Sequence, residues 1–224
     1  MKLNKKVKLL IAADGGAASG KSSCAKAISK KYGLNFLSSG LLYRLVAKEM
    51  IKRKHLVNNS NILKSVIDNI TQKKLKNRKL FDPEVTSYTS IIAKSKKIRK
   101  LLKKYQEKFA MRRLACIEGR DIATVVCPHA DIKIFFKCSL KDRAKRRLKD
   151  YKKTNGKISL KEVKKALQVR DFQDTNRRIS PLRPSKNSII INTSKLNKKQ
   201  TLFKLSRVVE NKLEKKYGRN YKIK

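Results

Sequence analysis

The chain has no tryptophan, only 16 acidic residues against 60 lysines and arginines, and four cysteines without a C-x-x-C pair. Cys24, Cys116, Cys127 and Cys138 sit mostly among apolar neighbours. That placement speaks against a disulfide framework or a cysteine zinc site, and for free buried thiols in a reducing compartment. No apolar run approaches the ~18 residues of a membrane span. The run in the N-terminal stretch MKLNKKVKLLIAADGG stops at Asp14, so we expect no signal peptide, no membrane segment and a cytoplasmic location. Internal repeats and low-complexity linkers are also lacking.

What is present argues for a folded domain. A length of 224 residues suits one large domain or one domain carrying an insertion. The hydrophobic share of 40%, gathered into repeated apolar runs, excludes a wholly disordered chain. The formal charge of +44 and pI near 10.5 point toward a polyanionic partner. The basic residues, however, run from Lys2 to Lys224, with clusters near 73–79, 94–104, 141–153 and 212–224, and Lys far outnumbers Arg. That spread reads as solvated helix faces, so we expect at most nonspecific affinity for nucleic acid.

Val7 to Ala13 is a short apolar run ending in a glycine-rich turn, which suits a buried parallel strand. Similar runs lie at 35–37, 114–117, 132–136 and 188–191. Apolar residues three and four apart predict amphipathic helices over 22–32, 41–52, 139–152, 159–172 and 199–215. Alternating strand and helix argues for a parallel α/β sheet. From about His55 to Phe109 the rhythm breaks into polar helical segments, the signature of an insertion. Asp82-Pro83-Glu84 reads as a helix start within it. Thr154-Asn155-Gly156 lies between two helical segments as a lid tip would.

Gly15-Gly16-Ala17-Ala18-Ser19-Gly20-Lys21-Ser22 fits G-x-x-x-x-G-K-[ST] between the first strand and a helix, the context a P-loop requires. Small residues let backbone N–H groups wrap phosphates, and the dipole of the helix beginning near Lys21 favours the anion. Lys21 can reach the β and γ phosphates, and Ser22 or Ser23 can offer a hydroxyl to Mg²⁺, largely through water. A P-loop alone does not separate GTPases, motor ATPases and small-molecule kinases.

Further segments narrow the choice. Ser39-Gly40-Leu41-Leu42-Tyr43-Arg44 follows the second strand, and Glu118-Gly119-Arg120-Asp121 follows the third, at the carboxyl edge where open α/β sheets bind ligands. Arg170, Asp174 and Arg177 succeed one another at about one turn each in Arg170-Asp171-Phe172-Gln173-Asp174-Thr175-Asn176-Arg177. Together with the P-loop, the E-G-R-D-I-x-T-V-V-x-P segment, the basic helix from Asp142 to Arg147 and R-D-x-x-D-x-x-R-x-x-x-P-L ending at Leu182, these residues resemble the bacterial cytidylate kinase family over nearly the whole chain.

The resemblance implies a P-loop NTPase fold, with a five-stranded parallel sheet flanked by helices, a lid around 140–172 and a helical monophosphate-binding insertion at 55–109. The core would then comprise 1–54 and 110–224. It implies γ-phosphoryl transfer from ATP to CMP or dCMP with Mg²⁺, by a monomer. By resemblance, residues 15 to 23 (Gly15, Gly16, Ala17, Ala18, Ser19, Gly20, Lys21, Ser22, Ser23) with the lid arginines Arg143 and Arg147 would bind ATP. Ser39, Arg44, Arg120 and Arg177 would hold the CMP phosphate, Arg170 and Asp174 the ribose, and Ser90, Arg99 and Asp121 the cytosine edge. Lys21, Arg120, Asp121 and Arg177 form the expected catalytic set, with Asp121 orienting the acceptor. Three positions depart from the family pattern: Ser38 stands where Asp is usual, Gly16 where Pro is usual and Ala123 where Gly is usual. Rival readings are another P-loop nucleotide kinase and a non-catalytic RNA-binding relic of such a fold.

Overall fold

The structure, a computed structural model, describes residues 2–53, 59–152 and 158–222. The expected lid tip at Thr154-Asn155-Gly156 and the expected core–insertion boundary at 54/55 lie outside these residues. The chain divides into two compact units, Met1–Leu37 with Arg112–Lys224, and Ser38–Met111.

The first unit carries five strands, β1 (Leu9–Gly15), β2 (Asn35–Ser38, whose last residue belongs to the second unit), β3 (Leu114–Gly119), β4 (Ile132–Lys137) and β5 (Ile189–Asn192). They form one parallel sheet in the order β2-β3-β1-β4-β5. This is the α/β P-loop NTPase architecture expected from the sequence. β1 runs LLIAADG with every residue buried, as a strand paired on both edges and covered on both faces must be. Ile11 lies opposite Cys116 on one side and Ile132 on the other.

Alternation along β1 assigns its two faces. Leu9, Ile11 and Ala13 join Cys24, Ile28 and Tyr32 of α1 (Lys21–Tyr32) and Leu205, Val209 and Leu213 of α9 (Lys198–Tyr217) in one apolar core. Each fully buried aliphatic side chain of this set contributes about 1.5–3 kcal/mol. Leu10, Ala12 and Asp14 point to the other face. At the edge of the sheet, β5 buries only Ile191.

α7 (Leu140–Lys152) and α8 (Leu160–Asn176) pack on each other through Ala144, Val163 and Leu167, with Leu148, Tyr151 and the P-loop residue Ala17 against them. A capping box starts α8. The Ser159 hydroxyl accepts the Glu162 N–H at 3.2 Å while the Glu162 carboxylate accepts the Ser159 N–H at 2.8 Å.

Beyond Ser38, the described residues of the second unit form helices and turns: α2 (Ser39–Lys52), α3 (Ser60–Asp68), α4 (Gln72–Leu75), a short turn at Arg78–Phe81, α5 (Pro83–Ile92) and α6 (Lys96–Ala110). Asp82 caps α5 and Pro83 occupies its first turn. Its core holds Leu42, Val46, Met50, Leu63, Leu80, Ile98 and Leu102. α2 belongs to this unit because Leu42, Leu45, Val46 and Met50 are buried as it packs on α3, α5 and α6. Among the described residues no helix is long and apolar enough to cross a membrane.

Candidate active site

The turn between β1 and α1 has a backbone that specific residues permit. A Cβ on Gly15 would stand 2.6 Å from the Phe136 carbonyl oxygen of β4, so a side chain there would push the strands apart. Gly20 caps α1 at φ +84, a left-handed conformation in which glycine is unstrained. The Ser19 hydroxyl donates to the Gly16 carbonyl at 3.0 Å, and the Thr193 hydroxyl, following β5, donates to the Ser19 carbonyl at 2.8 Å. Arg146 of α7 donates in turn to the Thr193 hydroxyl at 3.1 Å and to the Thr193 carbonyl. The turn is thereby held by the segment after β5, which α7 holds in turn.

Lys21 opens α1 and is nearly buried, with Nζ 3.2 Å from Oε2 of Glu118 at the end of β3. Burial, and next the nearby Arg120 guanidinium, push the Lys21 pKa down to about 8, and Glu118 offsets part of the fall. Ser22 and Ser23 are exposed in the same helical turn.

Arg120, Asp121, Asp174 and Arg177 meet in one network at the carboxyl end of the sheet. Arg120 Nε lies 2.8 Å from Asp174 Oδ2, Arg177 Nη1 lies 3.5 Å from Asp174 Oδ1, and Arg177 Nη2 lies 3.8 Å from Asp121 Oδ1. Burial alone would raise the Asp174 pKa, yet Arg120, Arg170 and Arg177 hold it below its usual range. Arg170 shows the converse. Burial first, then repulsion by Arg120, brings its pKa down to about 10 in spite of Asp174.

The two α7 arginines expected to meet ATP differ. Arg143 pairs with Asp171, its Nη1 2.9 Å from Oδ1, and the same nitrogen lies 3.4 Å from the Ala17 carbonyl and 3.1 Å from the position of a Cβ on Gly16. Proline at Gly16 would crowd this pair. Arg147 instead stacks on Tyr151, with its guanidinium carbon 4.7 Å from the ring centre.

Within the helical unit, Ser39 is buried at the first turn of α2, and Ser90 is half-buried on α5. Arg44 donates to the Leu80 carbonyl at 2.8 Å and to the Thr86 hydroxyl at 2.7 Å, and stacks on Phe81 at 5.1 Å. Arg99 donates to the Ala93 carbonyl at 3.1 Å and lies 5.7 Å from the Tyr43 ring centre.

Sequence reasoning overlooked several residues. Asp14, 1% exposed, accepts the Ile122 and Ala123 N–H groups, and Asp171, Arg146 and Thr193 brace the P-loop. Asp14 had a readable signal, a lone carboxylate closing a buried apolar run. Arg146 and Thr193 had none, because only the fold brings them together. Five of the chain's 16 acids, Asp14, Glu118, Asp121, Asp171 and Asp174, pair with the basic groups or bond the backbone around this site.

A glycine-bounded turn between a central parallel strand and a helix, with a buried lysine at the helix start, places the molecule in the P-loop NTPase class. Comparison with known proteins narrows this further. The family model for cytidylate kinase matches residues 11–211, and the chain belongs to that family. It is 35% identical to a cytidylate kinase of Thermotoga maritima over 215 residues, covering 91% of this chain and 97% of the relative. To a cytidylate kinase of Clostridium tetani it is 31% identical over 230 residues, covering 95% and 99%. A solved structure of an uncharacterized protein from Eubacterium ventriosum shares the fold, with a TM-score of 0.57 at 13% identity, over 91% of this chain and 99% of that one.

Proposed function

We propose that the protein transfers the γ-phosphoryl group of ATP to CMP or dCMP, giving ADP and CDP or dCDP. The observation that carries this reading is the group of buried and half-buried cations next to the P-loop. Lys21 and Arg170 both lose proton affinity through burial and the charge of Arg120. Such mutual repulsion is relieved by an incoming polyanion, so the site is built for phosphate charge. The names of the relatives supply the cytidine monophosphate acceptor.

The acceptor needs no strong base. A monophosphate with a second pKa near ~6 is already mostly a dianion at neutral pH. One of its oxygens forms a bond to the γ phosphorus as the bond to the β–γ bridging oxygen breaks, and ADP carries that electron pair away. The protein's task is to bring two anions into line and spread the charge of a loose transition state over fixed cations. Lys21, Arg120, Arg147 and Arg177 fill that role, Asp121 orients Arg177, and Arg44 of the helical unit serves the acceptor phosphate. Arg170 and Asp174 take the ribose, Ser39 the acceptor phosphate, and Ser90 and Arg99 the base. Arg143 meets the donor phosphates from α7.

Ser22 and Ser23 fit Mg²⁺, being hard oxygen donors exposed at the mouth of the turn. When bound with ATP, the ion would supply charge neutralisation across the phosphate oxygens. Among the described residues no group of three or more His, Cys, Asp or Glu is placed to hold a metal, so we assign its remaining positions to water and phosphate oxygens. We assign α7 and α8 to a lid that keeps water from the γ-phosphoryl group. The helical unit we assign to monophosphate binding. We expect the enzyme to act as a monomer in the cytoplasm.

The test is a coupled ADP-release assay with Mg-ATP and CMP, dCMP, UMP, AMP or dephospho-coenzyme A as acceptor. Release stimulated mainly by CMP and dCMP is the expected result. No stimulation by any acceptor, with RNA retained on the protein, would overturn it.

A further inference from the structure

We propose that Asp14 is a positioning residue of the transfer site, tying the P-loop strand to the turn that follows Arg120 and Asp121. This inference rests on the function assigned above. Asp14 is the residue before Gly15, where the phosphate-binding turn begins, and its side chain lies on the face of β1 shared with Leu10 and Ala12. Its Oδ1 accepts the Ile122 N–H at 2.9 Å and its Oδ2 accepts the Ala123 N–H at 2.7 Å. Ile122 and Ala123 open a wide five-residue helical turn, Ile122–Val126, whose own N-cap, Asp121, makes no side-chain cap bond. The first N–H groups of any helical turn lack partners within it. Here a carboxylate from a different strand supplies both, and its charge also suits the positive end of the turn.

The consequence is geometric. Asp121 precedes the anchored pair directly and Arg120 stands one residue earlier, so the acceptor-binding residues are held by the element that carries the P-loop. Side-chain anchors from a neighbouring strand determine where such a turn sits more tightly than the chain connection alone, and catalytic positioning is sensitive to displacements of an ångström.

Other roles for Asp14 fit less well. It is 1% exposed with both oxygens engaged, and a dianionic acceptor presents no proton for it to remove. It also belongs to no metal-binding cluster among the described residues. Burial pushes its pKa up to about 7, and the two N–H bonds offset part of that rise.

Asp14→Asn tests the idea with little change of shape, since an amide keeps one acceptor and turns a donor toward the second N–H. Steady-state kinetics of the full chain should show KM for CMP rising about tenfold or more, with KM for ATP within about threefold of wild type. A residue that only supports the fold would lower the melting temperature and leave both KM values unchanged or move them together, and either result overturns the proposal. Should Asp14→Asn fail to fold, Asp14→Ser, which keeps a small uncharged acceptor, is expected to show the same split. Wild-type protein is measured first. If it lacks CMP-stimulated ADP release, the assigned function fails and the inference with it, whereas an active wild type with an unshifted Asp14→Asn rejects the inference alone.

Discussion

The two units solve the problem of holding a cation in different ways. In the sheet unit, Lys21, Arg120, Arg170 and Arg177 come from the start of α1, the end of β3 and the end of α8, and their acidic partners come from β3, the turn after it and α8. They are charge against charge, with Lys21 buried and the arginines half-buried, and the proton affinities of Lys21, Arg120 and Arg170 are moved by burial and by their charged neighbours. In the helical unit, Arg44 and Arg99 are held by neutral groups nearby: carbonyls, a hydroxyl and the rings of Phe81 and Tyr43. Long-range charge networks store repulsion that a polyanion can relieve. Local carbonyl, hydroxyl and ring contacts fix a side chain by directional bonding. We expect the first kind to govern chemistry and the second to govern acceptor fit and local stability.

Lys21→Ala should sharpen this contrast most. Loss of a cation proposed to reach the transferring group should lower kcat roughly 10²- to 10³-fold or more, with the circular dichroism of the folded protein retained. A normal rate in this variant would sink the mechanism. Arg170→Ala or Asp174→Ala comes next. Either should raise KM for CMP by roughly 10- to 100-fold while ATP binding changes little, because only the acceptor side of the network is cut. Equal loss for both nucleotides would reject the assignment of these residues.

The pH dependence follows from the direction of the Lys21 shift. Its folded pKa, pushed down to about 8, leaves the ammonium charged below that pH and neutral above it. Phosphate binding needs the charge, so kcat/KM for ATP should fall by up to about tenfold per pH unit above about pH 8. A profile flat to pH 10 would remove Lys21 from donor binding. Arg44→Ala should act more locally. Removing its bonds to the Leu80 carbonyl and Thr86 should cost about 1–3 kcal/mol on denaturant unfolding, with a smaller effect on kcat than Lys21→Ala. A kcat loss equal to that of Lys21→Ala would erase the distinction between the units. Smallest of all, Ser159→Ala removes half of the α8 capping box and should cost about 0.5–2 kcal/mol, with KM for CMP unchanged.

Much of this site was legible before any coordinates. The P-loop is contiguous, and its turn chemistry is written in Gly15, Gly20 and Lys21. β1 and β3 were readable because parallel strands covered on both faces are continuous apolar runs, and the edge strands β2 and β5 still carry short apolar stretches. Other features were not. α2 looks like any amphipathic helix, and its membership in the helical unit depends on which helices receive Leu42, Val46 and Met50. Arg147 has the spacing of Arg143, yet a tyrosine one turn on takes it into a stack. The chain-wide excess of lysine obscured the few acids, whose pairing with specific arginines depends on folded distances.

By itself, the sequence determined the phosphate-binding turn, the α/β class, the family and the residue types available for charge neutralisation, because each is encoded in local spacing and backbone preference. Only the tertiary structure decided that Asp14 anchors the turn after Arg120, that Glu118 faces Lys21 and that Thr193 and Arg146 brace Ser19. Those pairings join residues far apart in the chain. They arise where parallel strands end side by side, and the strand order, with β1 between β3 and β4, is a consequence of how all the apolar faces are buried at once.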